Sequence, residues 1–163
     1  MGIKQAYLIE IEKETENTRK MIAAIDDKFW DFKPHEKSMS LGNLASHVVE
    51  LHNWVALALS KNTLDFKTDY KPLVAQGKQD LLDILNNNYQ ANIDQVNAMS
   101  DSDWDTMWTL QSGEHIIVTL PKKAAMRFLI QSHLIHHRGQ LSLYLRMSDL
   151  PIPGMYGPSA DER

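Results

Sequence analysis

The chain has 163 residues, of which 43% are hydrophobic, with 17 Lys and Arg residues against 21 Asp and Glu residues and no cysteine. This length and composition predict one soluble globular domain over residues 1–163, whose core can form without disulfides. The net charge of -4 and the lack of a basic run exclude the electrostatic footprint of a nucleic-acid-binding protein. No stretch approaches the roughly 18 apolar residues of a membrane span, and the N-terminus lacks a signal-peptide pattern, so we expect a cytoplasmic protein without a membrane anchor.

Two helices are predicted in the first part of the chain. From residue 3 to residue 25, apolar or Thr side chains recur at steps of three and four, which is the spacing of one helix face. Residues 26–40 break this period and are predicted to form a structured loop. Ser40 is a plausible N-cap of a second helix, which ends near Lys61 and carries His47 within its apolar seam.

The rest of the chain is predicted to contain a long connection, two helices and a hairpin between them. Residues 61–77 are polar and long enough to travel the length of a bundle, which permits neighbouring helices to be parallel. A third helix follows, then two β-branched runs around Gly113 that indicate a short hairpin. Pro121 suits the first turn of a fourth helix extending to about Met147. The predicted fold is an all-α four-helix bundle with a long crossover between helices 2 and 3 and a small β-hairpin before helix 4.

Three histidines fall on apolar seams of the predicted helices. His133 and His137 are four residues apart, so they project from one face of the fourth helix, and His47 lies in the seam of the second. The spacing alone is a weak signal, because 7 histidines in 163 residues give roughly 0.3 such pairs by chance. Each histidine alone is better explained as a hydrogen-bonded core residue. For the three together we favour a metal site, since three imidazoles plus a water form the open coordination typical of catalytic zinc.

The other histidines are weaker candidates. His136 lies about 100° around the helix from His137, so it is predicted to face a rim or solvent. His35 and His52 are interpreted as surface or loop packing residues.

Several further side chains could border such a site. Glu50 could reach it from the helix face of His47 as a general base, although an exposed charge is the favoured interpretation. Tyr156 could fold over the mouth of the bundle, as a hydrogen-bond donor or as packing. The tryptophans Trp54, Trp104 and Trp108 are interpreted as core or interface residues in preference to pocket residues.

Three segments of the chain resemble the DinB-like (DinB/YfiT) family of metal-binding four-helix bundles. They are residues 32–47, residues 133–140 and the tail, residues 151–162. The resemblance covers nearly the whole chain. It implies that His47, His133 and His137 bind zinc or nickel with water completing the site, and it suggests a homodimer.

The resemblance leaves the activity open. Characterised relatives include transferases and isomerases that use a low-molecular-weight thiol, and others are described as metal-dependent hydrolases. A thiol at an open metal position would become a thiolate nucleophile, whereas a water there would be acidified toward neutrality. The alternative is a non-enzymatic metal-binding or stress-response protein with a structural or incidental metal. Three ligands argue against a structural metal, because structural zinc normally has four protein ligands. The lack of an identified general base argues against catalysis.

Overall fold

A computed structural model describes residues 2–162 and shows a mostly helical chain with four helices and a small three-stranded sheet. Helix α1 spans Ile3–Ala23, α2 spans Leu41–Ser60 and α3 spans Lys78–Ala98. The fourth helix has three consecutive segments, namely α4 (Lys122–Ala125), a π-helical segment (Met126–Gln131) and α5 (Ser132–Met147). The four helices agree with the prediction, whereas the π-helical segment was not predicted.

The sheet is larger than the predicted hairpin. Strands β2 (Met107–Ser112) and β3 (His115–Pro121) form the antiparallel hairpin, with Gly113 at a positive φ of 62° in its turn. A third strand, β1 (Thr63–Asp65), pairs in parallel with β2. This strand was not predicted, because three residues within a polar connection carry no periodic signal and the pairing joins segments distant in sequence.

The core is formed by the apolar faces of all four helices and one face of the sheet. Helix α3 packs against both α1 and α2, and α5 packs mainly against α2. Trp104 and Trp108 are each only 1% exposed, which agrees with their interpretation as core residues. None of the helices described is long and apolar enough to cross a membrane.

The start of α2 is fixed by its cap and by a close helix-to-loop contact. The Ser40 hydroxyl accepts a hydrogen bond from the backbone N–H of Asn43 at 3.2 Å, as predicted for an N-cap. Gly42 lies against the indole of Trp30, and its N–H donates to the Trp30 carbonyl at 2.9 Å. These contacts fix the beginning of the helix that carries His47.

Candidate metal centre

His47 of α2 meets His133 and His137 of α5 where the two helices pack together. One ring nitrogen from each residue lies within 4.8 Å of the other two, and the Nε2 atoms of His47 and His133 are 3.4 Å apart. All three side chains are half-buried. This three-histidine cluster therefore joins the three residues selected from the sequence, and as a group it could bind a metal ion.

The cluster lies at the edge of the core rather than within it, which corrects the predicted position of His137. The buried seam of α5 runs through Leu134, Arg138, Leu141 and Leu145. These residues are spaced by four, three and four, as on one helix face. Arg138 therefore occupies the buried position of the seam, where His137 was expected. His137 is turned toward α2, where it meets His47 with ring centroids 4.7 Å apart.

Oxygen atoms next to two of the rings indicate which nitrogens are free to bind a metal. His137 Nδ1 lies 2.7 Å from the amide oxygen of Gln140, and His47 Nδ1 lies 3.5 Å from Glu50 Oε1. Both partners are oxygen acceptors, so they favour the tautomer with hydrogen on Nδ1 and a lone pair on Nε2. Partners of this kind orient metal-binding histidines in known metal sites.

Glu50 is buried beside His47, which contradicts its interpretation as an exposed charge. It is 6% exposed, and its Oε2 accepts a hydrogen bond from the Leu73 backbone N–H at 2.8 Å. Burial raises the pKa of Glu50, but interactions with His47, the Leu73 N–H and Tyr70 outweigh burial and hold that pKa below its ordinary value. Oε1 lacks a hydrogen-bond partner among the described residues, and it faces Nδ1 of His47. A hydrogen on that nitrogen would satisfy this buried oxygen.

Two histidine rings of α5, those of His133 and His137, favour their neutral form. Burial, followed by the nearby His137 and His47 rings, lowers the pKa of His133 to about 4. Burial is also the main cause that lowers the pKa of His137. A neutral imidazole offers the lone pair that a metal needs, so these two residues are ready to bind at neutral pH.

An aromatic wall and a cleft border the cluster. The ring centroid of Trp54 lies 6.3 Å from the ring centroid of His133, 5.7 Å from that of Phe66 and 6.0 Å from that of Tyr70. Trp54 is buried as predicted, but it also forms one side of the site. A cleft of about 370 Å³ opens between α2 and residues 70–74 and is lined by His47.

The remaining histidines lie outside the cluster. His136 is exposed, as predicted, and so is His35, whose Nδ1 accepts from the Lys37 N–H at 3.1 Å. The interpretation of His52 as a surface or loop residue is wrong. It is 3% exposed, and its Nε2 lies 2.9 Å from the Thr18 hydroxyl. The partner is on α1, so no local pattern could reveal it.

A buried cluster of polar side chains that was not predicted from the sequence is centred on the next residue of α5, Arg138. Arg138 is 2% exposed, forms an ion pair with Glu14 of α1 and donates to the Thr18 hydroxyl at 3.1 Å. The Tyr156 hydroxyl donates to Glu14 Oε2 at 2.9 Å. Tyr156 is therefore a hydrogen-bond donor, one of the two roles considered for it, and it fastens the tail to α1. The local sequence offers one indication that Arg138 is buried, namely its position four residues after the core residue Leu134.

Known proteins share this fold. The crystal structure of a DinB-like protein from Bacillus cereus ATCC 10987 superposes with a TM-score of 0.72 at 22% identity, covering 93% of this chain and 97% of that one. The DinB-like protein YjoA of Bacillus subtilis gives a TM-score of 0.70 at 16% identity, covering 96% and 97% of the two chains. A structure from Exiguobacterium sibiricum 255-15, described as a putative member of the DinB family, gives 0.67 at 22% identity, covering 100% and 99%. These similarities support the fold alone.

Sequence comparison identifies the family. The uncharacterized protein YrdA of Bacillus subtilis strain 168 is 30% identical over 161 residues, which is 96% of this chain and 89% of YrdA. Residues 1–163 match the DinB family over their whole length. The chain belongs to the DinB family.

Proposed function

We propose that this protein binds one divalent metal ion, zinc or nickel, through the Nε2 atoms of His47, His133 and His137, and that it uses this ion to catalyse a reaction of a small molecule. The observation that carries the proposal is the placement of three imidazole nitrogens within 4.8 Å of one another. The reaction is of the thiol-dependent transferase or the hydrolase type.

The chemistry of the donors suits such an ion. Zinc and nickel both accept imidazole nitrogen, and three protein ligands leave a position for a water or a small thiol. When bound, the metal supplies a positive centre that lowers the pKa of that fourth ligand. Glu50 and Gln140 hold the rings of His47 and His137 in orientation. The buried ring of Trp54 restricts access of water beside His133.

A matched pair of variants tests the ligand assignment. Zinc and nickel affinities are measured by titration at one pH for His137→Ala and for His136→Ala, the exposed neighbour that serves as the control. Removing a residue that only hydrogen-bonds to a metal ligand typically lowers metal affinity by about 10–100-fold. We expect His137→Ala to lower the affinity by more than this, because it removes a ligand itself. We expect His136→Ala to keep an affinity near that of the wild-type protein. Equal affinities of the two variants would refute the assignment.

The metal-free protein and its response to thiols test the kind of function. We expect the helical circular dichroism signal to survive metal removal, because a core of this size does not depend on an ion. Its collapse would indicate a structural metal. One metal per chain with a melting temperature raised by a small thiol would support the transferase. Metal-dependent ester hydrolysis at a rate that added thiols do not change would support the hydrolase. Metal binding with neither response would support the non-enzymatic alternative.

We also propose that the single domain, residues 1–163, is a four-helix bundle that forms a homodimer. Supporting the dimer, Phe128, Leu143 and Met147 on the outer face of the fourth helix are 67%, 58% and 50% exposed. An apolar helix face of this kind is a common interaction surface. Leu143→Lys should give a monomer in sedimentation experiments while wild type gives a dimer. A monomeric wild type at micromolar concentration would contradict the proposal.

A further inference from the structure

We propose that in the metal-free protein the cleft beside His47 binds a small uncharged or positively charged molecule with an apolar part and disfavours anions. The role of this cleft as the substrate side of the metal centre rests on the proposed function. Binding in the cleft itself does not require the metal, so the two proposals can fail separately.

The cleft has the size and the walls of a small-molecule site. Its volume of about 370 Å³ lies within the range of about 300–1,000 Å³ found for ligand pockets. One wall is a single face of α2, where Asn43, His47 and Glu50 follow one another at steps of four and three. The opposite wall consists of Tyr70 and residues 72–74. A ligand lying between these walls would contact His47 directly.

Two apolar side chains of the cleft lie toward solvent, and the carboxylate of Glu50 lies deeper. Val74 and Met39, at the mouth of the cleft, are 78% and 45% exposed, whereas Glu50 is 6% exposed. A ligand that covers Val74 and Met39 removes their apolar surface from water, which favours binding. The side chains of Asn43 and Tyr70 offer hydrogen-bonding groups to an uncharged polar end.

The charge of the lining selects against anions. Among the described residues that line the cleft, Glu50 is the sole carboxylate, and neither Lys nor Arg is present. Lys71, with Asn53 and Asn88, lines the adjoining cleft, which shares Glu50 and residues 72–74 with this one. A buried carboxylate with no cationic partner in the lining repels a ligand carboxylate and attracts a cation. In the metal-free protein the cleft therefore favours uncharged and positively charged ligands over anions.

Three probes that share one aromatic ring and differ in charge test this selection. Benzylamine, benzyl alcohol and benzoate are titrated into the metal-free full-length protein, and binding is followed by NMR chemical shifts. We expect benzylamine and benzyl alcohol to bind at least about tenfold more tightly than benzoate. Benzoate binding as tightly as benzyl alcohol would overturn the proposal, and so would the absence of binding by all three probes.

Two variants of exposed asparagines on α2 test the location. Asn43 lines the same cleft as His47, whereas Asn53 lines the adjoining cleft. Asn43→Phe should therefore block binding of the probes. Asn53→Phe should leave the affinity for the probes within about twofold of that of the wild-type protein. Equal effects of the two variants would overturn the proposed location. Melting temperatures confirm that both variants are folded.

A third variant tests the source of the selection. Glu50→Gln keeps the size of the side chain and removes its charge, so benzoate should then bind within about twofold of benzyl alcohol. An unchanged discrimination against benzoate would overturn the role of Glu50. Zinc titration of the same wild-type sample reports on the metal proposal independently, because the probe measurements are made without metal.

Discussion

Arg138 of α5 forms a buried ion pair with Glu14 of α1, one residue after His137. The guanidinium also donates to the Glu14 carbonyl at 3.0 Å and to the Thr18 hydroxyl at 3.1 Å. Consecutive residues of one helix therefore serve different purposes. Arg138 fixes α5 against α1, and His137 faces α2 as part of the three-histidine cluster.

Removing the guanidinium should destabilise the fold strongly. Arg138→Met leaves the Glu14 carboxylate buried without its cationic partner, so we expect the free energy of unfolding to fall by about 3 kcal/mol. Arg146→Met is the control, because Arg146 pairs with Asp161 at the surface and such pairs contribute about 1 kcal/mol or less. Urea unfolding of both variants measures the difference, and equal losses would contradict the importance of burial here.

The tail should depend on the hydroxyl of Tyr156. Tyr156→Phe removes the hydrogen bond to Glu14, which we expect to cost about 1 kcal/mol because the acceptor is charged and buried while the ring is largely exposed. Tyr144→Phe is a matched control, since its hydroxyl makes an exposed 3.3 Å bond to the Met39 carbonyl. Thermal unfolding should show a smaller loss for Tyr144→Phe, and the reverse order would refute this account of the tail.

His52 should make stability depend on pH. Burial, followed by the charges of Arg138 and Arg19, lowers the pKa of His52 to about 3 in the folded protein, against about 6.5 in the unfolded chain. Between these two pKa values the unfolded chain binds a proton that the folded protein does not. Stability is therefore full above pH 6.5 and falls as the pH is lowered, by about 2 kcal/mol between pH 7 and pH 5.

His52→Gln isolates this contribution, because glutamine can still hydrogen-bond to Thr18 without gaining a proton. Urea unfolding at several pH values should give a shallower slope for the variant than for wild type between pH 7 and pH 5. Parallel curves would show that His52 is not the residue responsible.

Metal affinity should resist mild acid better than three ordinary imidazoles would. The pKa of His133 is lowered to about 4 and that of His137 is lowered as well, so protons compete with the metal at these two residues only at more acidic pH. We therefore expect zinc affinity to fall by clearly less than the roughly 500-fold that three competing imidazoles of ordinary pKa would give between pH 6 and pH 5. Zinc titration over this range measures the slope, and a loss near that limit would contradict the prediction.

Two helical glycines should respond in opposite ways to alanine. A Cβ at Gly42 would clash with the Trp30 ring, whereas a Cβ at Gly139 would have no atom within 4 Å. Gly42→Ala must displace the indole and should cost about 1–3 kcal/mol. Gly139→Ala should stabilise by about 0.5–1 kcal/mol, because alanine loses less backbone entropy in a helix. Circular dichroism melting compares them, and stabilisation by both would show that Trp30 does not restrict Gly42.

The sequence by itself determined the helices, the hairpin and the residues selected as metal ligands. Apolar spacing of three and four residues is a local property, and so are the N-cap at Ser40 and the turn at Gly113. The same periodicity placed His133 and His137 on one face. These two residues and His47 were the predicted metal ligands, and the three side chains lie together in the structure.

Only the tertiary structure decided which polar residues are buried and with what partners. Arg138 and Glu14 are 124 residues apart, and His52 meets Thr18 from 34 residues away. Strand β1 likewise exists through its pairing with β2. Burial of a polar group costs free energy unless a partner satisfies it, and for these residues the partner lies on another element. Local patterns describe the faces of a helix, whereas the partner of a buried charge depends on how the helices pack.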